Sequence, residues 1–239
     1  EKKRLLVRGS VCGVLLFVST SFQQFGLMYT TVGKSGFITA MYILIVPILG
    51  LLLRQKVGRS VWLGVVLSLV GLYFLCLSGG IGGVNLGDLL TLACALFFAM
   101  HIQYVARVGG ETECVRMSCV QFLVNALLSA VGMVLFESLS WSAVASCWLP
   151  ILHAGVLSGG VAFTLQIVGQ QYTSPTLASM LLSLESVFAA IFGAILIPSQ
   201  ALQGRELFGC ALMFAAIVLA QLPQKDTAKA AEAEQSTHR

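Results

Sequence analysis

Charge is what this sequence has least of. Asp, Glu, Lys and Arg together make up 10% of its 239 residues, whereas a soluble domain carries about 25%. With 57% hydrophobic residues and a mean hydropathy of +0.91, the chain falls outside the ordinary soluble class and reads as a polytopic membrane protein. Paired cysteines are missing too. Cys12, Cys76, Cys94, Cys114, Cys119, Cys147 and Cys210 show no C-x-x-C spacing, which removes the usual zinc and redox frameworks and leaves them as small core residues. Nor is there a nucleotide loop. The glycine run 78–83 follows an apolar span and lacks the strand and lysine of a phosphate cradle, so no cofactor is expected. The net charge of +4 comes from basic residues at span ends without interleaved aromatics, which excludes nucleic acid as a partner.

What is present is a series of long apolar stretches. Eight candidate spans are read at 9–28, 35–53, 61–77, 87–105, 117–136, 149–170, 176–197 and 207–222; the third and eighth are short but within the range that crosses a bilayer. Placing the start of the chain in the cytoplasm puts twelve Lys and Arg on that side and leaves Lys34 and Arg205 outside. That bias sets the orientation, with both termini cytoplasmic. Residues 223–239 are polar and mixed in charge and are expected to be a disordered tail. Trp141 and Trp148, in the connection before the sixth span, suit a membrane–water interface.

The seventh span, Thr176 to Ile197, carries one acidic residue, Glu185, near its middle. An ionised carboxylate at that depth costs several kcal/mol, of order ~3, unless it faces a bundle interior or a water-filled cavity. Glu185 is therefore the leading candidate for a substrate or proton site, the alternative being a buried Glu that only packs helices. Other polar residues within spans are few. Gln23 and Gln24 with Thr20 form a polar face on the first helix, and Gln166 and Gln170 form an i, i+4 pair on the sixth. Each amide both donates and accepts, so these serve either a ligand or an interhelical hydrogen bond. His101 and Tyr104 sit three apart on the fourth helix, with Gln103 between. His101 has no Cys or carboxylate companions at ligand spacing, so no metal site is read. Tyr42 and Asn125 are similar candidates; His153, near an outer helix end, ranks lower. Gly9-x-x-x-Gly13 and Gly155-x-x-x-Gly159 allow close helix approach, within one chain or in a homodimer.

An internal repeat runs through these spans. The motif Gln-x-x-Gly-x-x-Tyr-Thr occurs twice, as Gln23, Gly26, Tyr29 and Thr30 and again as Gln166, Gly169, Tyr172 and Thr173. Each copy is followed by a short connection, a long apolar span and a last span with a glycine near its start, Gly64 or Gly209. Spans one to three thus match spans six to eight. An odd offset of spans makes equivalent helices cross in opposite directions, which is an inverted-topology repeat. The first half has three spans and the second five, so two further spans are expected ahead of Glu1.

Tyr29–Leu53, Gln170–Ile197 and Arg205–Ala220 resemble the drug/metabolite transporter superfamily, specifically its EamA-type members built from two five-helix repeats. The resemblance covers nearly the whole chain, as helices three to ten. It implies an all-α polytopic fold with 1–80 as the last three helices of the first repeat and 81–222 as a complete second repeat. It implies an integral protein of the plasma (inner) membrane, with a small-molecule substrate, proton or counter-substrate coupling and no enzyme activity. The family usually shows Glu-Pro in its ninth helix, whereas Ser186 follows Glu185 here. Pro47 is expected to keep the corresponding position in the first half. The family's acidic residue at the end of that helix is also replaced, by the segment 198–206.

The expected function is a secondary transporter, by resemblance an exporter, of small organic metabolites, rocking two inverted halves around a central cavity. Glu185, Gln23, Gln24, Gln166, Gln170, His101, Tyr104 and Tyr42 are its substrate-binding or coupling candidates. Two alternatives stay open. An intramembrane enzyme acting on lipid would need paired catalytic groups at one depth, yet Asp88 and Glu137 lie at membrane edges. A scaffold has no need of an inverted repeat.

Overall fold

The computed structural model describes residues 2–55, 57–76, 84–109, 113–136, 140–196 and 204–221. The expected tail 223–239, the glycine run 78–83, Glu137 and several of the inner cations (Lys56, Lys225, Lys229 and Arg239) lie outside these residues. Among the described residues all regular structure is helical. Five helices are long and apolar enough to cross a membrane: Lys2–Leu27, Val32–Leu52, Leu86–Val108, Cys114–Phe136 and Trp148–Gln170. Arg59–Leu75 and Pro175–Phe188 are shorter apolar helices, and the eighth expected span is a helix, Gly204–Gln221.

The first helix, α1 (Lys2–Leu27), has 26 residues, about 39 Å at 1.5 Å per residue, enough to cross the hydrocarbon. The second expected span is broken into α2 (Val32–Thr39) and α3 (Tyr42–Leu52). Thr31 caps α2 by accepting from the Lys34 amide, and at the break the Ile43 amide turns back to the Ala40 carbonyl at 3.0 Å, a tightened i to i+3 turn. Next come α4 (Arg59–Cys76), α5 (Leu86–Val108) and α6 (Cys114–Phe136). Two short helices, α7 (Trp141–Ser146) and α8 (Trp148–Leu152), lead into a π-helical stretch, His153–Phe163, and α9 (Thr164–Gln170). The stretch contains Gly155, Gly159 and Gly160, whose permissive backbone admits the wider winding. The seventh span is also broken, into α10 (Pro175–Leu182) and α11 (Leu184–Leu196). The last helix is α12 (Gly204–Gln221).

The first halves of the two broken spans, α2 and α10, match in cap, start and length. The offset that relates Gln23 to Gln166 also relates the caps Thr31 and Ser174, the breaks Ala40 and Ser183, and the first residues Val32 and Pro175. The tightened turn recurs as well, with the Ser186 amide bonded to the Ser183 carbonyl at 3.2 Å. Ser179 and Ser183 both donate their hydroxyls back to carbonyls one turn earlier, which loosens α10 toward its end. In this register Tyr42 corresponds to Glu185, and Ser186 corresponds to Ile43. Pro47 therefore stands opposite Ala190 and not Ser186, a correction to the sequence reading; capping at Thr31 and Ser174 sets where each helix starts and so where it breaks.

Packing forms two lobes. One cluster joins Cys12 of α1, Val105 of α5, Met117 of α6 and Ile167 of α9. The other joins Val65 and Leu72 of α4, Met180 of α10, Val187 of α11 and Met213 of α12. A third, Val46, Ala99 and Ile102, links α3 to α5, and Tyr42 packs against both this cluster and the second lobe. The α1 glycines are used inside the chain: a Cβ on Gly9 would lie 2.6 Å from Val120 Cβ, and on Gly13 2.6 Å from the Gln121 carbonyl. Gly155 has nothing within 4 Å.

Helices α4 and α12 meet backbone to backbone. A Cβ on Gly71 would sit 2.8 Å from the Gly209 carbonyl, and one on Gly209 2.6 Å from the Gly71 carbonyl. Gly71→Val is expected to destabilise by about 1–3 kcal/mol, because the backbones must separate to admit the side chain. Gly36→Ala, in a helix position with nothing within 4 Å, is expected to hold or raise stability by roughly 0.5–1 kcal/mol. Melting temperatures of the two variants in detergent check this; equal shifts would mean that α4 and α12 are not in contact.

Candidate functional site

The break at Ser183 puts Glu185 in the first turn of α11. Glu185 as a residue is exposed, while Val187 two residues on is buried in the second lobe. Helical geometry extends this exposed edge: Glu185, Phe188, Phe192 and Ile195 follow one stripe, and the rings of Phe188 and Phe192 stack with centroids 6.4 Å apart. Tyr42, at the start of α3 after the matching break, stands at the position equivalent to Glu185 and packs against the third cluster and the second lobe. These two residues come from spans far apart in sequence, and each follows the break in its span.

The other candidates are dispersed. Gln23 is half-buried and its amide reaches the Thr39 hydroxyl at 3.5 Å, in a polar seam where Ser35 and Thr91 also approach at 3.5 Å. Gln24, one residue on, is exposed and lines an open groove of about 900 Å³ between α1 and α6, with Thr20, Ser21 and Ser129 among its polar residues. His101 is fully buried and turned toward α6, where its Nε2 meets Gln121 Oε1 at 2.8 Å; its Nδ1 has no partner. Tyr104 faces the start of α1 instead and lines a groove of about 530 Å³ with Lys3, Arg4, Val7 and Arg8. Gln166 is half-buried, and Gln170 is buried with both amide atoms unpartnered. The structure therefore gives Tyr42 and Glu185 equivalent places after the two breaks, and the remaining six lie on α1, α5 and the helix that ends at Gln170.

Two polar links were not read from the sequence. Lys34 Nζ lies 2.6 Å from Asp88 Oδ2, and both side chains are nearly buried. Thr30 donates to the other oxygen at 2.8 Å, and Asn85 with Asp88 forms a capping box on α5. Sequence reading left Lys34 outside and Asp88 at an edge, although Asn85-x-x-Asp88 is a legible cap and a cation in an apolar span needs a partner. At the other end of α5, Gln103 donates to the Val46 carbonyl at 2.8 Å and accepts from Gln55 at 3.1 Å. The α2–α3 span is thus fastened to α5 at both ends.

Comparison with known proteins places this arrangement. Residues 85–222, more than half of the chain, match the EamA-like transporter family. The chain belongs to that family. A relative from Archaeoglobus fulgidus named "Uncharacterized transporter" is 33% identical over 216 residues, covering 90% of this chain and 68% of the relative. A second, from Acidianus ambivalens and named "Uncharacterized transporter in sor 3'region", is 28% identical over 153 residues, covering 62% of this chain and 58% of that protein. The fold resembles a solved crystal structure with a TM-score of 0.71 at 20% identity, over 91% of this chain and 84% of the other. This EamA-family chain is an integral multi-pass membrane protein, and its relatives point to a transporter rather than an enzyme.

Proposed function

We propose that the protein is a secondary-active transporter of small organic metabolites, an exporter, in which two inverted repeats alternate access to a site at Glu185 and Tyr42. In this reading 1–80 supplies the end of the first repeat, 81–222 is the second, and both ends of the chain face the cytoplasm of a cell whose inner membrane holds it. The observation that carries the reading is the pair of broken helices, alike in cap, in the eight-residue length of their first halves and in break, with Tyr42 and Glu185 at equivalent positions. Transporter sites are commonly built where helices break near the midplane between repeats.

The packing of α4 on α12 supports the same pseudo-symmetry. Gly64 and Gly209 are each sixth in their helices, and Gly71 and Ala216 each thirteenth. Exchanging the members of each pair turns the Gly71–Gly209 contact into the Gly64–Ala216 contact, and both are close approaches. Gln23, Gln24, Gln166, Gln170, His101 and Tyr104 would act in other states of the cycle or as links between helices. Flux of a mixed metabolite pool across sealed vesicles, followed by mass spectrometry with and without a pH gradient, tests the proposal. Movement of a compound that responds to the gradient is expected; no movement of any compound in either direction overturns it.

A further inference from the structure

We infer that the groove at the start of α1 holds the phosphate headgroup of an anionic phospholipid, with an acyl chain laid along the exposed stripe of α1 that continues from it. Three observations lead there. First, the groove of about 530 Å³ is lined by Lys3, Arg4, Val7 and Arg8 of α1 and by Tyr104 of α5, so among the described residues its lining holds three cations and no acid. Such a wall attracts an anion. Arg8 already has an interaction within the chain, whereas Lys3 and Arg4 are exposed and supply the recognition, the guanidinium as a fork for phosphate oxygens and the ammonium as a point charge. Second, the cations lead into an apolar track. Val7, Val11 and Val14 are 54%, 36% and 45% exposed and follow Arg4 along one helix face, covering about 10 Å at 1.5 Å per residue. A free anion has no use for this stripe; a lipid sets its head on the cations and a chain on the valines. Third, the groove is built from two helices. Tyr104 packs with Leu5 against the cluster of Cys12, Val105 and Met117, which fixes this wall of the groove. A tyrosine suits headgroup depth, with its ring in apolar surroundings and a hydroxyl that can donate to a phosphate oxygen. Basic pockets between membrane helices take anionic headgroups in this way. The lipid contact stands apart from the transporter reading and does not depend on it.

Native mass spectrometry of the purified protein, titrated in detergent with phosphatidylglycerol or with phosphatidylcholine of the same acyl chains, tests this. Roughly 0.2 M ammonium acetate confines the diffuse field of the cations to within about 8 Å. Phosphatidylglycerol is expected to bind about tenfold or more tightly than phosphatidylcholine, and the double variant Lys3→Gln, Arg4→Gln to lose about that factor. Tyr104→Phe, which keeps the ring, is expected to weaken binding roughly threefold, the share of one hydrogen bond. Lys2→Gln removes an exposed cation that does not line the groove and is expected to change binding by less than about twofold at this salt. Melting temperatures verify that each variant is folded. Equal affinity for the two lipids, phosphatidylglycerol binding unchanged in the double variant, or an equal loss in Lys2→Gln overturns the inference. Inorganic phosphate tests the source of the headgroup. Displacement only by phosphate in large excess over the lipid supports a lipid held by head and chain; displacement by phosphate at the concentration of the lipid overturns the lipid assignment.

Discussion

Asp88→Ala is expected to destabilise the protein by about 3–5 kcal/mol, because it leaves the Lys34 ammonium buried without its counter-charge. The side chains of Lys34 and Asp88 are only 12% and 7% exposed, but both stand in the first turns of their helices, where screening by nearby solvent trims the cost toward the lower end of that range. The same substitution removes the acceptor of the Thr30 hydroxyl and half of the Asn85–Asp88 capping box. A well-packed apolar pair in place of a buried ion pair is often neutral. The double variant Lys34→Met, Asp88→Asn, which removes the cation and keeps a capping side chain, is therefore expected to recover most of the loss. Thermal unfolding in detergent, read by the rise in thiol-dye labelling as buried cysteines such as Cys94 open, above the labelling of the exposed Cys119 and Cys147, measures both. A single variant within about 1 kcal/mol of the parent would mean that water reaches the ammonium and that α2 and α5 separate at this end.

The second large effect is functional. Glu185→Gln is expected to lower transport at least about tenfold, which corresponds to about 1.4 kcal/mol of lost interaction, and to flatten its pH dependence. Among the described residues no hydrogen bond or ion pair commits the Glu185 carboxylate to the fold, so its removal strands no partner there and melting should change little. Tyr42→Phe keeps the ring and removes the hydroxyl. A smaller loss is expected there, carried mainly by binding affinity, because the phenol supplies one hydrogen bond where the carboxylate supplies the charge. Unchanged rate and unchanged pH dependence in Glu185→Gln would remove Glu185 from the cycle, whatever the protein transports. Steady-state flux against substrate concentration at several pH values separates these outcomes.

Much of the site was legible at the level of single residues. Glu185 and Tyr42 stood out because polar groups in apolar spans are rare, and the repeated Gln-x-x-Gly-x-x-Tyr-Thr motif already fixed the offset that makes them equivalent. Their common place just after a helix break was not legible. It depends on breaks at Ala40 and Ser183, where the tightened turns arise from caps at Thr31 and Ser174 together with serine back-bonding in α10. Gln23 and Gln24 show the same limit from the other side. They are neighbours in sequence, but the helix turns one toward the Thr39 seam and the other toward the α1–α6 groove. His101 and Tyr104 also part company, since α5 has α6 on one side and the start of α1 on another.

The sequence by itself determined the solvent and the scale of this protein. Its low charge and long apolar stretches require a bilayer and require helices, because backbone groups in hydrocarbon must be satisfied within each segment. It also carried the repeat, since equivalent backbone turns demand equivalent capping residues. Tertiary structure alone decided which helix faces meet. Lipid tails are as apolar as leucine, so an apolar pattern does not tell a lipid-facing side from a buried one. The choice falls to a few contacts that act at a distance along the chain: Gly71 against Gly209, where the absence of a Cβ lets two backbones touch, and Lys34 against Asp88, where two nearly buried opposite charges meet.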